Sequence, residues 1–197
     1  MLVGKKTRLR LVEDNLDDAK RIVEWRNDPR IKAYFFETEP ISLGSHIQWY
    51  KKNMNDPSQR YYMIDALSHW KTGDPLASPL SIGTMGLKNI NWRSRNAEFG
   101  RFVIGEADFQ GKGYGKESLV ILLDYAFNHL NIHRIWLAIT TVNRASKELY
   151  HTVGFLIDGI LREHLYKNGQ YVDIHILGLL KQEFLSKETT LRRELNL

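Results

Sequence analysis

Gln110-Gly111-Lys112-Gly113-Tyr114-Gly115 stands between a strand-like run ending near Ile104 and a helical run beginning near Tyr114. Glycine lacks a Cβ, so Gly111, Gly113 and Gly115 can take backbone angles that other residues avoid and turn several N–H groups toward one anion. The helix that follows adds its unpaired first-turn N–H groups and the positive end of its dipole. The stretch reads as a phosphate cradle; the other reading is a mobile glycine loop capping a helix. Two common cradles do not fit. A Walker loop needs Gly, four residues, then Gly-Lys-Ser/Thr, but Gly105 is one residue too far from Gly111-Lys112 and Gly113 stands where the hydroxyl belongs. A dinucleotide fingerprint needs its glycines tight against a strand end, whereas the third glycine here comes one residue early and the loop lies well past Ile104.

Working outward, the chain has 197 residues, 43% of them apolar and 26% charged, which fits one domain large enough to bury a core. It contains no cysteine, so disulfides, thiolate catalysis and Cys-ligated zinc are excluded. Met1-Leu2-Val3-Gly4 runs into Lys5, Lys6, Arg8 and Arg10 without the apolar core of a signal peptide, and patches such as Val120-Ile121-Leu122-Leu123 are too short to span a bilayer. A cytoplasmic protein with no membrane partner is the expectation. The net charge of +5 suits an anionic ligand, and equally nucleic acid. The basic residues are scattered in small groups, however, with no basic helix or aromatic-basic signature, so no nucleic-acid partner is expected.

The remaining pattern predicts the elements around the loop. Thr7 to Val12 alternates as a half-buried strand, and Asp14 or Asn15 can cap a helix carrying Leu16, Ala19, Ile22, Val23 and Arg26 that breaks at Asn27-Asp28-Pro29. Ser42 caps a second helix with His46, Ile47, Trp49, Tyr50 and Met54. Tyr61 to Ile64, Leu80 to Leu87 and Ala97 to Ile104 form a meander, with Ser68 to Pro79 as a long hairpin connection. After the glycine loop, Leu119, Leu122, Leu123, Ala126 and Phe127 give a helix with a wide apolar face, and Ile135 to Ile139 is dense enough for a central buried strand. Arg144 to Thr152 is helical and closed by Gly154; Phe155 to Tyr166 and Tyr171 to Leu180 are strands joined by an Asn168-Gly169 hairpin turn. The tail from Gln182 is polar and frayed or helical.

Gln110, Gly113 and Gly115 occupy the three positions of Gln/Arg-x-x-Gly-x-Gly/Ala, and this motif, with the element order, resembles the GNAT superfamily of N-acetyltransferases along nearly the whole chain. The resemblance implies an α/β (α+β) fold: a single domain with a mixed, mostly antiparallel twisted sheet of about seven strands and about four helices. The acetyltransferase domain would span 1–182 and a C-terminal tail 183–197. It also implies acetyl-CoA as acyl donor, bound by Gln110, Gly111, Lys112, Gly113, Tyr114, Gly115 and Lys116 at its pyrophosphate and by Phe102, Val103 and Ile104 along its pantetheine. Asn143-x-x-Ser146-x-x-x-Tyr150-x-x-x-Gly154-Phe155 resembles the family segment in which an Asn caps a helix near the pantetheine and a Tyr faces the sulfur. Asn143, Ser146 and Tyr150 lie one helical turn apart in succession and can share a face.

Ala97-Glu98-Phe99-Gly100 resembles the strand that carries a general-base Glu in the histone-acetylating branch, so Glu98 can face a substrate amine or be a solvated edge residue. Strand alternation places Glu98, Gly100 and Phe102 on one side and Phe99, Arg101 and Val103 on the other. Ala138 occupies the position where peptide N-terminal acetyltransferases place a base. Trp25-Arg26-Asn27-Asp28-Pro29, Ile41-Ser42, His46-x-x-Trp49 and Arg60-Tyr61-Tyr62 resemble acetyltransferases of nucleotide-linked 4-amino sugars. The stretch Gly154-Phe155 to Asp158-Gly159 and Arg162, with Gly169 and Tyr171-x-Asp173, is shared with ribosomal-protein N-terminal acetyltransferases.

The implied roles are therefore Tyr150 and Glu98 in catalysis and Trp25, Arg26, Asn27, His46 and Trp49 at the acceptor, a small-molecule amine or a protein N-terminus. A backbone N–H near Val103 would polarise the carbonyl. No acyl-enzyme is expected, because no Ser lies in a nucleophile elbow and no Cys exists. His46, His164 and His175 are substitute bases. His129 and His133 lack the Glu of a zinc-protease motif, and no metal is expected. A homodimer is compatible with the resemblance, and the competing class is a non-catalytic acyl-CoA-binding module on the same fold.

Overall fold

The computed structural model describes residues 1–67 and 79–197, and the expected Ser68 to Pro79 connection lies almost wholly outside them. The described chain runs β1 (Leu2–Val3), β2 (Thr7–Leu11), α1 (Leu16–Asn27), α2 (Pro29–Lys32), α3 (Leu43–Asn53), β3 (Arg60–Ala66), β4 (Leu80–Asn91) and β5 (Asn96–Ile104). It continues through α4 (Tyr114–Asp124), β6 (Arg134–Thr140), α5 (Arg144–Val153), β7 (Leu156–Lys167), β8 (Gln170–Leu180) and α6 (Lys181–Leu195). The strands form one mixed sheet in the order β1-β2-β3-β4-β5-β6-β8-β7, antiparallel everywhere except between β5 and β6.

The expected caps form. The Asn15 side chain accepts from the Asp18 N–H, and the Ser42 hydroxyl accepts from the Ser45 N–H at 3.0 Å. Gly154 ends α5 at φ 119°, and Asn168 and Gly169 (φ 52° and 79°) make the two-residue turn that pairs Tyr166 with Tyr171.

The strands and helices number eight and six among the described residues, against about seven and four expected. The extra strand is the two-residue β1. Of the extra helices, α2 is a single turn restarted by Asp28, whose side chain accepts from the Arg30 N–H, with Pro29 at the first helical position, where its missing N–H costs nothing. The other, α6, is the tail read as frayed or helical; it anchors through buried Phe184 and Leu191.

Strand alternation sorts the core onto the two faces of the sheet. From β3, Tyr62 and Ile64 join a cluster with α4 residues Leu119, Leu122 and Leu123, together with Phe127, Phe155 and Phe184. Tyr61 and Met63 point to the other face, against Ile22 and Trp25 of α1 and Tyr50 of α3. The first cluster is the larger and includes many fully buried side chains, each contributing about 1.5–3 kcal/mol through burial. Strand β6 departs from the continuous burial expected of it. Ile135, Leu137 and Ile139 are buried while Trp136 and Ala138 are only half-buried, and Leu137, Ala138 and Ile139 border a cavity.

Candidate active site

Strands β5 and β6 pair over three residues only, Asn96 with Arg134, Ala97 with Ile135 and Glu98 with Trp136. Beyond Glu98 they part, and β6 continues on β8 while β5 continues on β4. The separation begins beside an irregularity in β5. Its register to β4 shifts between Thr84 and Gly86, and Arg101, opposite that shift, has φ 55°. This is a β-bulge: one extra residue bends the strand and reverses its facing beyond that point. Phe99, Phe102 and Ile104 consequently all pack on the α4 side of the sheet, whereas Val103 packs on the α1/α3 side.

The expected pairings of Glu98 with Phe102 and of Phe99 with Val103 on common faces are therefore corrected. Simple alternation holds up to the bulge and inverts after it. Through the opened seam runs a cavity of about 1140 Å³, lined by Gly113, Gly115 and Tyr150 from the α4/α5 side and by His46, Trp49 and Tyr61 from the α1/α3 side.

At one end of the cavity lies the glycine loop. Gly111 and Gly113 have φ of 69° and 86°, in the left-handed region that a Cβ penalises. The Gln110 side chain donates to the Ile104 carbonyl at 2.8 Å and so ties the loop to the end of β5. Gly113 is the N-cap of α4, whose first-turn N–H groups open toward the cavity end. A Cβ on Gly115 would stand 2.9 Å from Phe102 Cζ, so glycine lets the helix start approach β5. Gln110, Gly111, Gly113, Gly115 and Lys116 line the cavity. Lys112 and Tyr114 do not: the Lys112 carbonyl accepts from Lys6 Nζ at 3.3 Å, and the Tyr114 ring packs edge-on to Phe109 with Lys6 over it. The cradle thus fits an anion in the way a pyrophosphate requires, through backbone donors and a helix terminus.

Midway, Phe102, Val103 and Ile104 of β5 face Leu137, Ala138 and Ile139 of β6 across the gap. Asn143 caps α5 by accepting from the Ser146 N–H at 3.1 Å, and both residues line the cavity with Tyr150. The Tyr150 ring is held edge-on between Phe99 and Phe155, with centroids 5.9 and 5.7 Å away, and the residue is 5% exposed. Burial pushes its phenol well above the usual tyrosine range, the Ser146 hydroxyl pulling back slightly. It is a protonated donor at any physiological pH.

Glu98 lines the same cavity, its side chain 12% exposed. Oε1 lies 2.8 Å from Lys88 Nζ, and Oε2 accepts from Asn89 Nδ2 at 2.8 Å. Both oxygens are engaged, so Glu98 meets a substrate proton directly only by giving up one of these contacts, or else through water.

The acceptor end lies between α1, α3 and the loop from α2. Of the residues expected there, Arg26, His46 and Trp49 line the cavity. Trp25 and Asn27 do not reach it. The Trp25 ring lies on Gly105, where an added Cβ would stand 2.1 Å away, and its Nε1 donates to Glu106; Asn27 makes a two-way link with the Ile41 backbone. Both shape the end of α1 and lie outside the cavity lining.

Alternation did not flag Arg101, which enters here through the bulge. Its guanidinium lies 4.4 Å from the Trp49 ring centroid and 5.2 Å from that of Tyr61, and Nη2 donates to Gln59 Oε1 at 2.6 Å. Burial, then the nearby Arg26 and Arg101 charges, lowers the His46 pKa, so this ring is neutral near pH 7. Of the substitute bases, His164 and His175 lie outside the cavity lining. Among the described residues no cluster of three or more His, Cys, Asp or Glu stands together, and no helix is long and apolar enough to cross a membrane.

Comparison with known proteins agrees with this geometry. The acetyltransferase (GNAT) domain family matches residues 8–156. Spermidine N(1)-acetyltransferase of Vibrio cholerae serotype O1 is 29% identical over 170 residues, covering 86% of this chain and 91% of that protein. YdaF of Bacillus subtilis (strain 168), provisionally named a ribosomal N-acetyltransferase, is 30% identical over 185 residues, with 92% and 95% covered. The Vibrio cholerae spermidine N-acetyltransferase structure in complex with CoA and spermine superposes with a TM-score of 0.79 at 30% identity, covering 91% of this chain and 98% of that one. A dodecameric structure of the same enzyme gives a TM-score of 0.74 at 28% identity over 92% and 98%.

Proposed function

The chain belongs to the GNAT acetyltransferase family, and on that premise we propose that it moves an acetyl group from acetyl-CoA to a primary amine by direct attack across the opened seam between β5 and β6. The observation that carries this reading is the single cavity that joins the glycine loop to the α1/α3 side of the sheet and holds Tyr150 and Glu98 along its course. Acetyl-CoA supplies the thioester carbonyl and, on acetyl transfer, the thiolate to be protonated.

The Gly111 to Gly115 N–H groups and the start of α4 hold the pyrophosphate, with Gln110 fixing the loop. A backbone N–H within Phe102 to Ile104 polarises the carbonyl as negative charge develops on its oxygen. Glu98, directly or through water, takes the proton of the attacking amine, and Tyr150 donates to the departing sulfur. Asn143 and Ser146 set the start of α5 and thereby the position of Tyr150 one turn beyond.

The acceptor is a small-molecule amine or a protein N-terminus. Spermidine, the acceptor in the names of the Vibrio cholerae and Escherichia coli relatives, joins nucleotide-linked 4-amino sugars and peptides with free N-termini as its candidates. Self-association fits the outer edge of the sheet, where β7 leaves Leu156, Ile157, Ile160 and Leu161 exposed. Isothermal titration of CoA, followed by thiol release from acetyl-CoA over that amine panel, tests the reading. Binding with amine-dependent thiol release supports it; binding without release by any amine identifies a non-catalytic acyl-CoA module.

A further inference from the structure

The acceptor end of the cavity is lined by Arg26, Arg30 and Arg101 together with Glu37 and Glu39. Most cations along the cavity are neutralised: Lys88 pairs with Glu98, Lys116 with Glu194 and Arg30 with Asp28. Arg26 lies 4.8 Å from the Phe35 ring centroid, its carboxylate contact among the described residues is the outlying Glu37, 3.4 Å away and 68% exposed, and its Nε is buried without a hydrogen-bond partner there. Arg101 has no carboxylate partner among the described residues. Its hydrogen bond goes to the neutral Gln59, its Cζ lies 4.4 and 5.2 Å from the Trp49 and Tyr61 ring centroids, and its Nη1 is buried with no acceptor among the described residues.

A buried guanidinium N–H left without an acceptor is costly, and aromatic stacking holds the charge without supplying one. Arg26 and Arg101 also feel each other: burial first, and then the Arg26 charge, works against the Arg101 charge, while Tyr61, Glu98 and Asp56 favour it, each by less than burial opposes it. Arg26 and Arg101 line the same cavity, and guanidinium groups that share a pocket suit an oxyanion there.

We propose that Arg101 and Arg26 form an oxyanion subsite, so that the acceptor is an amine whose far end carries a carboxylate or phosphate. His46, stacked on Trp49 with centroids 5.9 Å apart, closes this subsite with a neutral ring. A free polyamine meets both arginines as like charges and has Glu37 and Glu39 as its counter-charges at this end, so the test sets the two acceptor classes against each other. The inference rests on the acetyl-transfer reading above and narrows its acceptor.

The test compares matched amines that differ only in the anion: ethanolamine against O-phosphoethanolamine, glucosamine against glucosamine 6-phosphate, and 1-aminobutane against 4-aminobutyrate, with spermidine as the polycation. Thiol release from acetyl-CoA gives kcat/KM for each. The expected result is a preference of about 10-fold or more for the anionic member of at least one pair, the scale of one charge-assisted hydrogen bond. Which pair responds separates a phosphate from a carboxylate requirement.

In Arg101→Gln and Arg26→Gln the preference should fall toward unity through KM, a loss of about 10-fold or more, while calorimetric affinity for acetyl-CoA stays the same. Arg101→Lys, which keeps the charge but loses the fork, should lie between wild type and Arg101→Gln. If Arg101→Gln does not fold, Arg26→Gln, at the more open side of the pocket, decides. Preference for spermidine or the neutral members, unmoved by either variant, overturns the proposal and leaves acetyl transfer standing. Absence of thiol release with every amine overturns both.

Discussion

Replacing Tyr150 by Phe removes one oxygen from a ring that is otherwise fully packed. The ring sits edge-on to Phe99 and Phe155 in a 5% exposed position, and Phe preserves those contacts. The stability cost is then confined to the hydroxyl and its interaction with Ser146, about 1 kcal/mol or less. The effect on chemistry is larger. Positioned general acids contribute about 10²- to 10⁴-fold. The Tyr150 phenol belongs at the lower end, since burial raises its pKa and makes it a reluctant donor. The departing thiolate is born in the same apolar surroundings, which raise its own proton affinity and bring the two groups back toward balance.

A loss of about 10²-fold in kcat, equivalent to about 2.7 kcal/mol of barrier, is therefore expected, with the CoA dissociation constant unchanged. Single-turnover thiol release separates this step from product release. Wild-type enzyme should also show no fall in rate near pH 10, where a free tyrosine ionises. A Tyr150→Phe enzyme with a single-turnover rate within about threefold of wild type would refute the proton-donor argument.

Glu98→Gln should lower kcat/KM about 10- to 100-fold at neutral pH and approach wild type as rising pH deprotonates the amine unaided; a parallel pH profile removes Glu98 as base. Gly113→Ala should cost about 1–2 kcal/mol of stability by urea titration, because the added Cβ meets only Lys6 Nζ at 3.7 Å and the penalty is the φ of 86° alone. Unchanged stability would mean that the loop takes another conformation. Burial raises the phenol pKa values of Tyr61, Tyr62 and Tyr150 above the unfolded value of about 10. Above that pH the unfolded chain sheds protons that the folded chain keeps, so stability falls as pH rises, by up to about 1.4 kcal/mol per pH unit for each phenol. Tyr62→Phe should reduce that slope between pH 10 and 11, and an identical slope would contradict the assignment. Ile160→Glu, on the outer strand, should weaken any self-association seen by sedimentation without lowering acetyl-CoA affinity.

The glycine loop, the caps at Asn15, Ser42 and Asn143 and the Asn168-Gly169 turn were legible because each is decided by backbone conformations or hydrogen bonds within a few residues. The order of elements along the chain followed from the same local signals, and the resemblance implied the mixed, mostly antiparallel sheet. The seam geometry was not legible in the same way. Gly100, just before the bulge, is the one local signal of it, but a glycine does not say that Arg101 takes the φ of 55°, and strict alternation puts Phe99 and Val103 on one face when they pack on opposite faces.

The place of Trp25 and Asn27 outside the cavity lining was hidden for a related reason. Their position at a helix end is shared with cleft residues, but the Trp25 ring is drawn onto Gly105, a contact 80 residues away in sequence that no local pattern encodes. Arg101 became visible only as a guanidinium between two aromatic rings from distant elements.

The central claim, direct transfer within the β5/β6 seam, is tested most directly by rapid quenching of enzyme and acetyl-CoA with and without an accepted amine, measuring free thiol and the intact mass of the protein. Direct attack predicts thiol release only when amine is present, appearance of the N-acetyl amine in equal amount, and a protein mass that never changes. A burst of thiol without amine, matched by one acetyl group on the protein, would contradict it and place a covalent acyl-enzyme in the seam.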